Sequence, residues 1–382
     1  MDILIVGAGV AGLTLAAKLL QQGRRPTVVE RAPAFTDQGY AILLYPLGSC
    51  VLHGLGKYEE AMASAQVGTT YEVVDGKGHL LQDVDLSALG GEIGPMVLLT
   101  RTRLIEILHD AAKEADIRFG TSVTAIDQSR GDGVDVTFSD GTSGSFDLVV
   151  CSDGIHSQTR KLAFGSDADV FDTDWVLWVW WAELPDWPPS KYVESWGSGR
   201  FFGLYPAPGH AMCAAGMNTS HLTVDPSDLE AAKPFLKELF AEIIQSNETA
   251  GIAIDAATKL FTWPMNDVRA QDWVTGRVCL LGDAAVGFLP TAGAGANTAM
   301  RCAASLADEL SRVNGRLAPL ALEVFEKRCR HIVEKNQRDS RVLAKMIFVE
   351  NAVVSWGRDE LIKHYPMTKL VQDIIDSMRE PF

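Results

Sequence analysis

The chain has 382 residues, 47% hydrophobic and 22% charged, the composition of an ordinary globular protein with length enough for two domains. With 34 basic against 49 acidic residues its formal net charge is −15, which excludes nucleic acid and anionic membrane surfaces as natural partners. Six cysteines are scattered with no C-x-x-C pair, and eight histidines form no H-x-x-x-H or H-E-x-x-H pattern. Neither a disulfide framework nor a metal site is expected, and the thiols suit a reducing, cytoplasmic setting.

The opening MDILIVGAG is too short and too poor in basic residues to be read as a leader, and no apolar run reaches the length of a membrane span. Within it, ILIV (3–6) predicts a short buried strand. Gly7-Ala-Gly9-Val10-Ala11-Gly12 follows, then LTLAAKLLQQG with apolar residues at helical spacing, then PTVVE, a second strand ending in Glu30. This is a βαβ unit with a G-x-G-x-x-G turn and an acid about 20 positions beyond it, the spacing that places a carboxylate on a ribose hydroxyl. Gly7 permits the tight turn, Gly9 lets a pyrophosphate approach, and Gly12 lets the helix pack on the strand. The motif alone fits NAD or FAD.

Further along, TTYEVVDGKGHLL (69–81) predicts a hairpin around D-G-K-G. LLTRTRLIEIL (98–108) sets Arg101 at the start of an amphipathic helix, and DLVVCSDGIHSQTR (147–160) is an apolar strand ending in Asp153-Gly154, with Ser157 and Arg160 on the next turn. From 166 to 264 strand-like runs predominate, one broken by a Pro-Gly turn, with a helical stretch at 226–249. Five tryptophans lie between 175 and 187. Strand alternation puts Trp175, Leu177, Val179 and Trp181 on one face, and Val176, Trp178, Trp180 and Ala182 on the other. One face suits a flat aromatic ligand; sheet core or a subunit contact is the competing explanation.

GDAAVGFLPTAGAGANTAM (282–300) follows the strand GRVCLL with a Gly-Asp turn, a proline loop and a helix start. Small residues let the backbone approach something closely, and a helix start offers free N–H groups to electron-rich atoms. No G-x-S-x-G elbow is present, which removes the serine-hydrolase alternative. His156 reads as a loop residue, and no catalytic base is assigned.

Together these stretches resemble the group A FAD-dependent monooxygenases, the family of para-hydroxybenzoate hydroxylase, salicylate hydroxylase and the tetracycline-inactivating monooxygenases. FEKRCRHIVEKNQRDSR (325–341) is similar to that family's long basic helix. The resemblance implies an α/β fold: a discontinuous Rossmann-like FAD-binding domain (1–70, 97–165 and 265–345), an inserted antiparallel β-sheet substrate domain (71–96 and 166–264), and C-terminal bridging helices (346–382). It implies non-covalent FAD, NADPH or NADH as reductant, and an aromatic or polycyclic small molecule that receives one atom of O2 by way of a flavin C4a-hydroperoxide. A monomer or homodimer is expected.

By the same resemblance, Gly7, Gly9, Val10, Ala11 and Gly12 hold the pyrophosphate. Glu30 holds the adenosine ribose, with Arg31 beside it. Arg101 lies near the ribityl and pyrophosphate region, Asp153 supports the nucleotide or simply caps a helix, and Asp283 bonds the ribityl chain. Pro290 sits against the flavin. Gly293, Ala294, Gly295, Ala296 and Asn297 aim backbone N–H groups at its N1–C2=O edge, where a helix N-terminus stabilises the charge of the reduced ring. Trp181, Tyr192, Phe202, Tyr205 and Phe288 are the pocket candidates. The chain departs from the family at Val286 (usually histidine), Ala294 (glutamine) and Arg301-Cys302 (an acidic pair), none of which removes a backbone donor or Asp283. A flavin oxidase, dehydrogenase or reductase on the same scaffold is the main alternative. A halogenase, only echoed by WVWWAELP, and a non-catalytic flavin-binding protein come behind it.

Overall fold

The computed structural model describes residues 1–35, 39–87, 89, 94–165, 170–207, 210–365 and 367–379. The expected Pro-Gly turn, Pro208-Gly209, lies outside them. Continuous apolar runs produce a parallel sheet buried on both faces. Its order is Val274–Thr275, Val278–Leu280, Leu148–Cys151, Ile3–Val6, Thr27–Glu30 and Asp116–Phe119, parallel except for the first pair. The helix Val10–Gln21 packs against Gly295–Ser311 and Arg101–Ala111, so the helices beginning at the two glycine-rich stretches are neighbours.

A second, seven-stranded sheet is built from the alternating runs, in the order Phe261–Val268, Val170–Ala182, His210–Asn218, Arg200–Ala207, Lys191–Trp196, Thr70–Asp75 and Leu80–Asp85. All its pairs are antiparallel except Lys191–Trp196 with Thr70–Asp75. The hairpin at 75–78 forms as the sequence predicts, with the Asp75 carboxylate accepting from the backbone N–H groups of Lys77 and His79 at 2.8 and 2.9 Å.

The two faces of the tryptophan strand divide as alternation requires. Trp178 and Trp180 are fully buried under the helices Leu229–Leu239, Ala241–Ser246 and Glu248–Asp255, and their indole N–H groups donate to the carbonyls of Pro226 (2.9 Å) and Ala253 (2.8 Å). Leu177 and Val179 face the other way, toward Tyr45, Leu289 and Ala292.

The long helix Ala318–Ile347 ties the parallel-sheet half to the loop that precedes Gly295. The Gln337 side chain donates to the carbonyls of Val268 (2.6 Å) and Gly287 (2.7 Å), and the Ser340 hydroxyl donates to that of Leu289 (2.9 Å). Arg341 pairs at 3.0 Å with Asp267, which is fully buried and also bridged by Arg269. Two further helices, Ala352–His364 and Met367–Arg379, close the chain. The buried Arg358 guanidinium fastens the first of them by donating to the carbonyls of Trp196 (2.6 Å), Met346 (3.0 Å) and Ile347 (3.2 Å). Among the described residues no helix is long and apolar enough to cross a membrane, and no cluster of His, Cys, Asp and Glu could hold a metal ion. All six cysteines are free thiols.

Candidate cofactor groove and adjoining cavity

Neighbouring parallel strands end together, so their following loops share one edge of the sheet: Gly7–Gly12 after Val6, the segment after Glu30, Ser152–Gly154 after Cys151, and Gly282-Asp283 after Leu280. In an open α/β sheet this edge is where nucleotides bind. Gly7 has φ of 102°, and a Cβ there would lie 2.5 Å from the Ser152 carbonyl oxygen. A Cβ on Gly12 would collide with the Gly7 carbonyl. Both glycines are therefore demanded by the protein's own packing. Gly9 is different. Its φ is −82°, open to any residue, and a Cβ there would meet nothing within 4 Å. It leaves room beside the uncapped start of a helix, the arrangement that admits a phosphate.

The Glu30 carboxylate is drawn to this loop, accepting from Ala8 N–H and Ala32 N–H, both at 2.9 Å. Arg31 is exposed beside it. The Arg101 guanidinium lies 5.8 Å from the centre of the Tyr40 ring, and its charge acts on both the Tyr40 hydroxyl and Asp283. Asp283 meets solvent through the groove but is flanked by protein on its other sides. Burial pushes its carboxyl up to about 6, against the pull of Arg101. The Asp153 carboxylate accepts from the Ser157 hydroxyl (2.5 Å), the Thr159 hydroxyl (2.6 Å) and the Thr159 N–H (3.1 Å), bracing the first turn of the helix Gln158–Phe164, whose N-cap is Ser157. Arg160, also buried, bridges this turn to the carbonyl of Ala284 at 2.8 Å.

After Asp283 the chain runs through a short 3-10 turn, Pro290–Ala292, to Gly293 in the left-handed region (φ 60°), and the helix begins at Gly295 with no side-chain cap from Ala294. The first-turn N–H groups of Gly295, Ala296 and Asn297 thus lack intrahelical acceptors. The Asn297 side chain, fully buried, accepts from Tyr45 N–H (2.9 Å) and donates to the carbonyls of Leu43 (2.8 Å) and Gly293 (3.0 Å). The space left by Gly9, the acids at the two strand ends and the uncapped small-residue helix start are features that would suit FAD.

Pro290, Thr291, Ala292 and Gly293 also wall a cavity of about 220 Å³ lying under the second sheet. Its lining is aromatic and apolar (Tyr40, Tyr45, Tyr71, Trp196, Phe201, Trp263, Met212, Met265, Ile347 and Phe348 among others), with one ionisable acid, Glu194. Tyr192 and Tyr205 are among its lining residues. Three expectations need correction. Phe202 points to the opposite face, against Trp180 and Phe240, because residues three apart on a strand cannot share a face with Tyr205. Trp181 shares the cavity side of its strand but, half-buried beyond Val179, is not part of the lining. Phe288 sits below the loop with Trp273 and Phe325, around a separate void of about 10 Å³. Sequence reasoning missed Tyr45, Tyr71 and Glu194. For Glu194 a signal existed: Tyr192, Glu194 and Trp196 alternate, so an acid shares a face with two aromatics.

The sheet order, the glycine loops and the acid at the second strand's end define a dinucleotide-binding flavoprotein fold with an aromatic cavity against the loop 290–293. The chain belongs to the FAD binding domain family, which it matches over residues 1–340. It is 31% identical over 343 residues to the 3-amino-4-hydroxybenzoate 2-monooxygenase PtnB3 of Streptomyces platensis, covering 88% of this chain and 86% of that one. It is 25% identical over 362 residues to a flavin-dependent monooxygenase of Legionella longbeachae, covering 92% and 91%. Klebsiella pneumoniae HpxO, solved with FAD and uric acid, superposes with a TM-score of 0.90 over 100% of this chain and 97% of that one, at 22% identity.

Proposed function

We propose that the chain is an FAD-dependent monooxygenase that uses NADPH or NADH and O2 to insert one oxygen atom into an aromatic or polycyclic small molecule. One observation supports the proposal: Pro290–Gly293, in the small-residue loop that leads into the uncapped helix start at Gly295, also lines the aromatic cavity, so a flavin held by that loop would face a substrate lodged in an apolar pocket. FAD, when bound, would accept reducing equivalents from the nicotinamide nucleotide and activate O2.

The chain's own residues do the rest in this reading. Gly7–Gly12 and Glu30 hold the adenosine diphosphate portion; Arg101 and Asp283 hold the ribityl region. The first-turn N–H groups of 295–297 stabilise negative charge on the reduced ring. Tyr45 and Asn297 fix the loop, and the apolar lining orients a flat substrate and excludes water. The parallel-sheet half serves as the FAD-binding domain and the seven-stranded sheet as the substrate domain, with the C-terminal helices bracing both. The six free cysteines are in keeping with a cytoplasmic setting, and activity as a monomer or homodimer belongs to the same reading.

The purified protein is expected to be yellow, with FAD released into the supernatant on acid precipitation. Oxidation of NADPH or NADH should be slow alone and accelerate when a substrate fills the cavity. A colourless protein that takes up no added FAD would overturn the assignment.

A further inference from the structure

Around Glu194 the polar wall of the cavity is made of acceptors, while the Tyr40 and Tyr192 hydroxyls, also in the lining, keep their protons uncommitted. The Glu194 carboxylate takes hydrogen bonds from the Tyr71 hydroxyl (2.7 Å) and the Trp196 indole N–H (2.9 Å) on one oxygen, and from the Tyr205 hydroxyl (2.7 Å) on the other. Tyr205 reaches it by folding back over Gly203, which stands opposite Glu194 in the strand register and where a Cβ would lie 2.6 Å from the Tyr205 ring. The Tyr45 hydroxyl likewise donates its proton away, to the Ala292 carbonyl at 2.8 Å, and the Thr291 hydroxyl to that of Ser340 at 3.0 Å. A phenol whose proton is committed to the protein shows a ligand only its oxygen lone pairs. Among the described lining residues there is no Lys, Arg or His to balance Glu194. The buried Tyr192 hydroxyl, with no protein partner, stands on the same wall.

We propose that Glu194, presented by Tyr71, Tyr205 and Trp196, is a specificity-determining residue that selects a neutral or cationic aromatic molecule bearing an N–H or O–H donor and rejects aromatic carboxylates. An anion entering the cavity would lose its hydration, meet the acceptor oxygens around Glu194 and face a like charge, the nearest cations, Arg101 and Arg358, standing behind the Tyr40 and Trp196 rings rather than in the lining; a donor or ammonium group would complete the network. The substrate class therefore differs in charge from the benzoate named for the Streptomyces relative. The inference rests on the cavity's being the substrate site of the proposed monooxygenase.

The test uses the FAD-loaded protein and three probes of one skeleton: tryptamine (cationic), indole (neutral, one N–H donor) and indoleacetate (anionic). Binding is read from the change in the bound-flavin absorbance spectrum, without turnover. Tryptamine should bind about ten- to a hundredfold more tightly than indoleacetate, the range of one hydrogen bond to a charged group, with indole between them. In Glu194→Gln the preference should shrink toward unity. Indoleacetate binding as tightly as tryptamine in the native protein overturns the proposal, as does a preference unchanged in Glu194→Gln, or no binding of tryptamine and indole at millimolar concentration. The native arm stands even if the variant folds poorly. The predicted binding order without oxygen transfer to any compound would sink the monooxygenase reading alone; oxygen transfer with the reverse order would sink this inference alone.

Discussion

The Asn297 side chain accepts the backbone N–H of Tyr45 at 2.9 Å, joining the first turn of the flavin-loop helix to a segment 252 residues earlier in the chain. Tyr45 answers through its hydroxyl, which holds the Ala292 carbonyl at 2.8 Å. One residue pair thus ties down the loop that walls the cavity.

Asn297→Ala removes a fully buried side chain from three partners and leaves the Tyr45 N–H and the carbonyls of Leu43 and Gly293 without it. Each buried group left unpaired costs about 1–3 kcal/mol, so the variant should lose of the order of 2–4 kcal/mol after relaxation. Tyr45→Phe keeps the backbone bond and should lose about 1 kcal/mol. Urea unfolding of the two apo-proteins separates them; equal losses would count against the clamp.

Gly9 and Gly7 should respond oppositely to substitution. A Cβ on Gly9 would meet no protein atom within 4 Å, so the Gly9→Leu apo-protein should unfold at nearly the same urea concentration as the native chain while FAD titration shows no binding. Gly7→Ala forces a side chain into the left-handed region and against the Ser152 carbonyl, and should destabilise the fold itself. If Gly9→Leu still bound FAD with native affinity, the pyrophosphate would not lie where the loop leaves room.

Asp283→Ala is expected to weaken FAD binding about ten- to a hundredfold, the worth of one hydrogen bond to a charged group. Asp153→Ala should chiefly lower stability, since its carboxylate braces the first turn of the helix after it. Apo-protein titrations with FAD, beside urea unfolding of each, check the division; equal FAD affinities would contradict it.

Asp283 also predicts a pH effect. Its carboxyl is raised from an ordinary 3.8 to about 6, so the folded apo-protein holds this proton more tightly than the unfolded chain does. The group's contribution to stability is full below about pH 4 and is lost as the pH rises through about 6. Asp283→Asn should flatten that part of the stability curve. A native and a variant curve of the same slope between about pH 4 and about pH 6 would place the titration elsewhere.

The nucleotide half of this molecule is legible in its sequence because its elements are local: a strand, a glycine turn, a helix and an acid fall within thirty residues, and Gly282–Asn297 lies in one run. The cavity is not, because its wall draws on the segments around 40–45, 71, 192–205, 263 and 290–293, which only the tertiary fold brings together. Alternation along a single strand divides the tryptophans between the two faces and likewise separates Phe202, packed on Trp180, from Tyr205, which lines the cavity. Proximity along the loop is a weaker guide: the turn at 290–293 presents Pro290, Thr291, Ala292 and Gly293 to the cavity, while the Phe288 ring lies with Trp273 and Phe325. The bracing role of Asp153 depends on Ser157 and Thr159 returning to it, a geometry that spacing alone leaves open.

The central claim is oxygen transfer, and isotope labelling tests it most directly. With a compound that fills the cavity and accelerates nicotinamide oxidation, turnover under labelled dioxygen should place one labelled atom in the product, with one nucleotide consumed per product formed. A product oxidised without gaining oxygen, or carrying oxygen that comes only from water, would contradict the account and make the chain a dehydrogenase or oxidase built on the same fold.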